Sequence, residues 1–136
     1  MNKQFNICVI DDDDIYQFTI LKVLESIKLN KKVIFFSDGE EALDFMTANL
    51  LNDTELPDVI FLDINMPIMD GFQFMEEYVK IKPELNKKIT IYMVSSSVDA
   101  VDIERAKSIS DISDYIIKPI EPKQLKKIMH DLEQKM

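Results

Sequence analysis

Five short apolar runs, each followed by a segment with helical spacing, constrain most strongly how this chain can fold. The runs lie at residues 5–10, 32–36, 58–63, 89–94 and 114–117. They are apolar throughout rather than alternating with polar residues, which is typical of strands buried on both faces. Such strands occur in parallel sheets covered by helices on either side. The sequence therefore predicts an α/β fold, a doubly wound three-layer sandwich in which a strand and a helix alternate five times.

Apolar periodicity and capping residues predict the intervening helices. The first runs from about Ile15 to Ile27, and the second begins at Asp38, an N-cap type residue with Glu41 three positions later. The last helix is amphipathic as well. Its apolar face consists of Leu125, Ile128, Met129 and Leu132. We expect all of these helices to pack on the sheet.

The third and fourth predicted helices differ in the strength of their apolar stripes. The third begins at Asp70, with Gln73 three residues later as in a capping box. Its expected inward residues are Phe72, Met75 and Val79. The fourth, from about Asp99 to Ser108, has only a weak stripe. We expect it to be the most loosely held helix.

Length and charge exclude several classes of protein. The 136 residues fit one domain, which we assign to residues 1–136 with no attached output domain. There are 16 basic and 25 acidic side chains, giving a formal net charge of -9. Such a charge disfavours non-specific binding to nucleic acid or to an anionic membrane. We therefore expect no direct contact with nucleic acid.

The cysteine count and the absence of long apolar stretches bear on location. Cys8 is the single cysteine, so no intramolecular disulfide can form, which suits a reducing compartment. Neither a signal peptide nor a run of ~20 apolar residues is present, so we expect no membrane insertion. The sequence predicts a soluble, cytoplasmic protein.

Charged residues follow three of the predicted strands at their carboxyl ends. Asp11 and Asp12 follow the first run, Asp63 closes the third, and Lys118 follows the fifth. In an open α/β sheet the carboxyl ends of the strands line the crevice where ligands bind. Carboxylates and an ammonium facing one another there would suit a divalent cation and a phosphoryl group.

Several short motifs together resemble a known family. They are Asp11-Asp12, Asp63, Asn65-Met66-Pro67 with Asp70-Gly71, Ser95, and Lys118-Pro119. From about residue 7 to residue 132 the chain resembles the receiver domain of two-component response regulators, and is similar to the stand-alone chemotaxis regulator. The resemblance implies a flavodoxin-like parallel sheet of strand order 2-1-3-4-5. This order would bring the acids after the first and third strands to one edge.

The resemblance also implies a catalytic and metal site. Asp63 would accept a phosphoryl group as an aspartyl phosphate, and Lys118 would offset charge on the transferred oxygens. Mg²⁺ would be bound by Asp12, Asp63 and the backbone carbonyl of Asn65, with Asp11 acting mostly through water. The Lys118-Pro119 peptide bond is expected to be cis.

The resemblance implies that a second group of residues takes part in switching and sets the lifetime of the phosphorylated state. The hydroxyl of Ser95 would contact the phosphoryl group, and the rotamer of Tyr115 would report the phosphorylated state. Asn65 and Ser97 occupy positions that flank the path of attacking water and would tune dephosphorylation. From the residues alone, Ser95 could equally belong to a polar turn and Tyr115 could be a half-buried strand residue.

The function implied is phosphorelay signal transduction. A sensor histidine kinase or phosphotransfer protein would donate the phosphoryl group, and the fourth helix, fifth strand and fifth helix, about residues 99–135, would bind an unknown downstream protein. This is not a conventional enzyme, because it would catalyse only its own phosphorylation and dephosphorylation. The kinase, the target and the pathway stay open.

Three alternatives compete with this interpretation. An aspartyl-nucleophile phosphatase would need a general acid two residues after Asp63, where this chain has Asn65. A receiver-like interaction module that is never phosphorylated stays open. A nucleotide- or flavin-binding protein is disfavoured because the chain has only two glycines, and neither belongs to a phosphate-binding loop.

Some residues depart from the family pattern or have ordinary roles. The glycine often found before the fifth strand is missing, so we expect Asp111 or a neighbour to form that turn in a left-handed conformation. Asp13 and Asp14 are expected to be solvated loop residues or helix caps. His130 is expected at the surface, so the phosphodonor would be another molecule.

Overall fold

Strands and helices alternate along the chain in the computed structural model, which describes residues 4–135. The strands are β1 Phe5–Ile10, β2 Lys31–Phe36, β3 Val59–Leu62, β4 Thr90–Ser95 and β5 Ile112–Ile117. The helices are α1 Asp14–Glu25, α2 Gly39–Ala48, α3 Gly71–Ile81, α4 Ala100–Lys107 and α5 Pro122–Gln134. A short 3₁₀ turn, Lys82–Glu84, extends α3.

The five strands form one parallel sheet in the order β2-β1-β3-β4-β5. This confirms the order that the resemblance implied. β1 and β3 are direct neighbours, with Ile10 opposite Leu62 at their carboxyl ends. β4 and β5 pair with Ser95 opposite Ile117. The residues that follow these strands therefore meet at the same edge of the sheet.

Helices cover both faces of the sheet, which gives the predicted three layers. One buried cluster joins β1 and β3 to side chains of α1 and α5, including Ile20, Leu24, Leu125, Met129 and Leu132. The other joins the opposite face to α2, α3 and α4, including Ala42, Met46, Phe74, Tyr78 and Ala106. Fully burying one large apolar side chain contributes about 1.5–3 kcal/mol relative to leaving it exposed. The two clusters therefore hold the helices in place around the sheet.

The inward face of α3 differs from the one predicted. Phe72 and Met75 are buried, but Val79 is 48% exposed, and Phe74 and Tyr78 are buried instead. The buried stripe runs from Gly71 through residues 74, 75 and 78, which is the i, i+3, i+4, i+7 pattern of a helix face. Val79 lies just beyond this stripe, so its assignment to the core was wrong.

The turn before β5 also differs from the expectation. Asp111 does not have a positive φ, and among the non-glycine residues 4–135 only Ile68 does, at 67°. The chain enters β5 through backbone hydrogen bonds from Ile109 to Ala106 and from Ile112 to Ile109. The Asp111 carboxylate pairs with Lys82. Because this turn needs no left-handed residue, the missing glycine has no structural cost here.

Burial differs sharply between α4 and the interior of β1. In α4 only Ala106 is buried, and Val101 is 72% exposed, which agrees with the weak stripe seen in the sequence. Cys8 is a free, buried cysteine within β1, and burial raises the pKa of its thiol.

Among residues 4–135, no helix combines the length and the apolar character needed to cross a membrane.

Candidate functional site

The acidic residues after β1 and β3 form one cluster. The backbone N–H of Asp63 donates to the Ile10 carbonyl at 2.9 Å, so the pairing of β1 with β3 continues up to the acids. Asp11 and Asp63 are 2% and 7% exposed, whereas Asp12 is exposed. Carboxylate oxygens of all three lie within 4.8 Å of one another. The pairing of β1 with β3 thus brings Asp63 next to Asp11 and Asp12, from which it is distant in sequence.

Lys118 brings a positive charge into this cluster from β5. Its backbone N–H donates to the Ser95 carbonyl at 2.9 Å, and the Lys118–Pro119 peptide bond is cis. Its Nζ lies 2.6 Å from Oδ2 of Asp11 and 3.6 Å from Oδ2 of Asp63. The side chain is 15% exposed, so the ammonium is largely withdrawn from water. Lys118 therefore compensates part of the negative charge of both aspartates.

Burial and the remaining negative charge raise the pKa values of the two buried aspartates. Burial, followed by the charge of Asp11, raises the pKa of Asp63 to about 6, although Lys118 opposes the shift. Burial also raises the pKa of Asp11, against hydrogen bonds from Lys118 and from the Asp13 backbone N–H. Three close carboxylates with incomplete compensation favour the binding of a cation. Their hard oxygen donors fit a divalent ion such as Mg²⁺.

The loop between β3 and α3 fixes the backbone of Asp63. The Gly71 N–H donates to the Ile64 carbonyl at 2.8 Å. A Cβ atom at Gly71 would lie 2.3 Å from the Asp63 carbonyl oxygen, so only glycine permits this approach. Asp70 and Gln73 form the capping box expected from the sequence. The start of α3 is therefore packed directly against the residue that carries the carboxylate.

Ser95, Ser97 and Tyr115 form a hydrogen-bonded group beside Lys118. Ser95 is fully buried, and its Oγ accepts from the Ser97 N–H at 3.1 Å. The Tyr115 hydroxyl donates to the Ser97 carbonyl at 2.8 Å. The Ser97 hydroxyl donates to Asp102 of α4 at 2.7 Å. These contacts connect the end of β4 to both β5 and α4.

The other residues singled out in the sequence are exposed or cap a helix. Asn65 is exposed in the loop after β3. Asp13 is the N-cap of α1 and accepts from the backbone N–H groups of Ile15 and Tyr16. Asp14 is exposed at the start of the same helix, and His130 is exposed on α5. The cap and surface assignments made for these acids and for the histidine agree with their positions.

Two residues beside the cluster were not found from the sequence. Gln17 donates from Nε2 to the Asp11 carbonyl at 2.5 Å. The ring of Tyr16 lies against Lys118, whose Nζ is 4.3 Å from the ring centroid. Their place in the first turn of α1, directly after the acids, was the only signal available. That signal is weak, because every residue of this turn shares it.

Comparison with known proteins shows which family has this arrangement. The family model described as response regulator receiver domain matches residues 7–130. The chain belongs to this family. The receiver domain is 33% identical over 121 residues to the probable transcriptional regulator ycf27 of Guillardia theta. The match covers 88% of this chain and 41% of ycf27, so it spans less than half of that longer protein.

Solved structures share the fold of the receiver domain. A two-component response regulator from Cytophaga hutchinsonii superposes with a TM-score of 0.83 at 23% identity, covering 98% of this chain and 99% of that one. The phosphorylated cyanobacterial phytochrome response regulator RcpA has a TM-score of 0.75 at 26% identity, covering 98% and 93%. The chain therefore has the fold of these response regulators, and its membership of the receiver-domain family is consistent with phosphorelay signal transduction.

Proposed function

We propose that Asp63 accepts a phosphoryl group from a sensor histidine kinase or a phosphotransfer protein. The observation that carries the proposal is the position of the Lys118 ammonium, 2.6 Å from Asp11 and 3.6 Å from Asp63. Phosphoryl transfer depends mainly on positioning and on charge stabilisation rather than on covalent work by the protein. A buried carboxylate with a cation beside it meets both needs.

The reaction at Asp63 is an in-line displacement. A carboxylate oxygen forms a bond to phosphorus while the bond from phosphorus to the donor's histidine nitrogen breaks, and the nitrogen keeps the electron pair. Lys118 offsets negative charge on the phosphoryl oxygens. The buried Ser95 is the hydroxyl expected to contact one of those oxygens, since its carbonyl already accepts from the Lys118 N–H.

Mg²⁺ is the cofactor of the proposal. Asp12 and Asp63 would bind it directly together with the Asn65 backbone carbonyl, and Asp11 mostly through water. The 4.8 Å spread of the three carboxylate groups supports this donor set. The bound ion would neutralise charge shared by the carboxylates and the phosphoryl oxygens. Without it, the negative charge of Asp11, which together with burial raises the pKa of Asp63, would also oppose the approach of a phosphate.

The output of the proposed switch is a protein-binding face formed by α4, β5 and α5. The contacts of Ser97 with Tyr115 and with Asp102 support a path from the site to α4. Phosphorylation would draw Ser95 toward the phosphoryl group and bias the position of Tyr115 and α4. The downstream partner is an unknown protein. A cytoplasmic location belongs to the proposal because the one cysteine is a free thiol.

A phosphorylation assay tests the proposal. Acetyl phosphate and Mg²⁺ should add one phosphoryl group to the purified protein, as measured by intact mass, and candidate kinases with ATP should do the same. Asp63→Asn should block the addition, and so should excess chelator. Asp14→Asn, in the same acidic run as Asp11 but exposed, is the matched control and should react normally. Phosphorylation of Asp63→Asn would reject the assignment, and no reaction of the wild type would favour an interaction module that is never phosphorylated.

A further inference from the structure

Tyr16 lies beside the acidic cluster, but the proposed function gives it no role. It is in the first turn of α1, where its backbone N–H donates to the Asp13 cap at 3.2 Å. Its ring packs against the buried cluster shared by α1, α5 and the sheet. The cap and the packing together fix Tyr16 relative to the loop that carries Asp11 and Asp12.

The ring of Tyr16 makes a third contact with the ammonium of Lys118. Nζ lies 4.3 Å from the ring centroid, in addition to its contacts with Asp11 and Asp63. A cation over the face of an aromatic ring is attracted by the ring quadrupole, more strongly where water is excluded. Lysine has a long, flexible stem, so two carboxylates alone leave its ammonium several positions. The ring restricts that choice.

The hydroxyl of Tyr16 is buried and has no hydrogen-bond partner among the described residues. Buried hydroxyl groups are normally hydrogen-bonded, as the hydroxyl of Tyr115 is to Ser97. Burial, and then the negative charges of Asp11 and Asp63, raise the pKa of the Tyr16 phenol. The phenol therefore keeps its proton beside the acids and remains a neutral hydrogen-bond donor.

We infer that Tyr16 takes part in phosphoryl transfer to Asp63, with its ring positioning the Lys118 ammonium and its buried hydroxyl donating to an oxygen of the incoming phosphoryl group. This inference rests on the proposed function. During transfer from a small acyl phosphate, an Asp63 oxygen bonds to phosphorus, the bond to the acyl oxygen breaks, and the leaving carboxylate keeps the electron pair. Tyr16 gives up no proton in this step.

Two substitutions separate the ring from the hydroxyl. Tyr16→Phe keeps the ring and the contact with Lys118 but removes the donor, whereas Tyr16→Leu removes both. Phe18→Leu is the matched control, because Phe18 is on the same helix, is 61% exposed, and has its own lysine, Lys22, 5.2 Å from the ring centroid. It changes an aromatic–lysine pair away from the acidic cluster.

The rate of phosphorylation by acetyl phosphate and Mg²⁺ is the first measurement. We expect the second-order rate constant to fall about threefold in Tyr16→Phe, which loses one hydrogen bond. It should fall about tenfold in Tyr16→Leu, which loses the cation–π contact as well. Phe18→Leu should react like the wild type. Circular dichroism reports whether each variant is folded, and Tyr16→Phe keeps the test decisive if Tyr16→Leu unfolds.

Proton NMR of the Lys118 side chain is the second measurement, and it tests whether the ring lies over the ammonium. The rate loss in Tyr16→Phe, which keeps the ring, is the result that a core-filling role for Tyr16 would not predict. The ring current should shift the ε-methylene signals of Lys118 upfield in the wild type and in Tyr16→Phe, but not in Tyr16→Leu. Unshifted signals in the wild type, or wild-type rates in both folded variants, overturn the inference. A wild-type protein that gains no phosphoryl group at Asp63 overturns the proposed function itself.

Discussion

Asp63 is held where its own negative charge is unfavourable. It is 7% exposed, and burial with the charge of Asp11 raises its pKa from 3.8 to about 6. Between those two pH values the folded state binds more protons than the unfolded state. The free energy of unfolding therefore falls as pH rises through this window and stays lower above it. The carboxylate that the proposed chemistry needs is thus a source of instability near neutral pH.

Removing that charge should stabilise the protein in the absence of metal. At pH 7.5 in chelator, Asp63→Asn should raise the free energy of unfolding by about 1–3 kcal/mol, since each pKa unit corresponds to about 1.4 kcal/mol. The asparagine oxygen can still accept from the Ile64 N–H, as Asp63 does at 2.9 Å. Urea unfolding at several pH values measures the effect, and the gain should shrink toward pH 4.

An exposed aspartate provides the control for this experiment. Asp44 is exposed on α2, so Asp44→Asn should change the free energy of unfolding by less than about 0.5 kcal/mol. A destabilised Asp63→Asn, or a gain of equal size at every pH, would show that the charge of Asp63 does not lower the stability of the folded protein.

The lifetime of the phosphorylated state should depend on Asn65. Asn65→Glu should change the dephosphorylation rate at least about threefold, which corresponds to about 0.65 kcal/mol or more in activation free energy, without abolishing phosphorylation. Asn65 is exposed. The Ser97 hydroxyl donates to Asp102 of α4, and the Ser97 carbonyl accepts from the Tyr115 hydroxyl. Substitutions of Ser97 would therefore also disturb α4. Loss of label after removal of the phosphodonor measures the rate. Equal rates across acidic and bulky variants would assign the lifetime to other residues.

Sequence patterns located the charged residues of the site better than their surroundings. Asp11, Asp63 and Lys118 each follow an apolar run, and parallel strands carry such residues to one edge. The contact of Tyr16 with Lys118 joins residues far apart in the chain, and helical spacing carries no signal for it. Strand ends can therefore be predicted locally, but side-chain partners depend on the tertiary arrangement.

At the level of elements, the junction between β3 and α3 depends on Gly71. The Cβ of an alanine there would lie 2.3 Å from the Asp63 carbonyl oxygen, and a backbone atom has little freedom to move. Gly71→Ala should lower the free energy of unfolding by about 1–3 kcal/mol, as overpacking does, and should slow phosphorylation by displacing Asp63. Thermal unfolding and the acetyl phosphate assay measure the two effects.

Gly39→Ala is the comparison for this prediction. At Gly39 the nearest atom to an added Cβ is Cγ of the Met69 side chain, at 2.9 Å, and the Met69 carbonyl lies at 3.0 Å. Because that side chain can move, Gly39→Ala should cost less than Gly71→Ala and leave phosphorylation nearly unchanged. The reverse order of effects would mean that the junction is not held by this close approach.

Elements were predicted well where periodicity is strong and less well at their edges. The sheet order came from the resemblance, since βα alternation alone does not specify which strands are neighbours. The face of α3 was misjudged at Val79 because Phe74 and Tyr78 offered a competing apolar stripe. The turn at Asp111 was misjudged because ordinary backbone conformations complete it.

For the whole molecule, phosphorylation should act as a population shift centred on α4, β5 and α5. Beryllofluoride with Mg²⁺, as a phosphate mimic, should change backbone amide NMR shifts around the acidic cluster and over residues 99–135. Asp63→Asn treated in the same way is the control and should show no such changes. α4 should respond most, since Ala106 is its only buried residue. Changes restricted to α1 and α2 would place the output surface elsewhere.

The buried thiol of Cys8 makes this protein convenient for fluorescent labelling. A thiol reacts through its thiolate, and both the burial and the raised pKa of Cys8 suppress that form. A cysteine introduced at an exposed position can therefore be modified by maleimide in the otherwise native sequence. Val101→Cys, at a position 72% exposed on α4, would carry an environment-sensitive dye beside the proposed output face. Movement of α4 could then be followed in real time, with the unmodified chain as the blank.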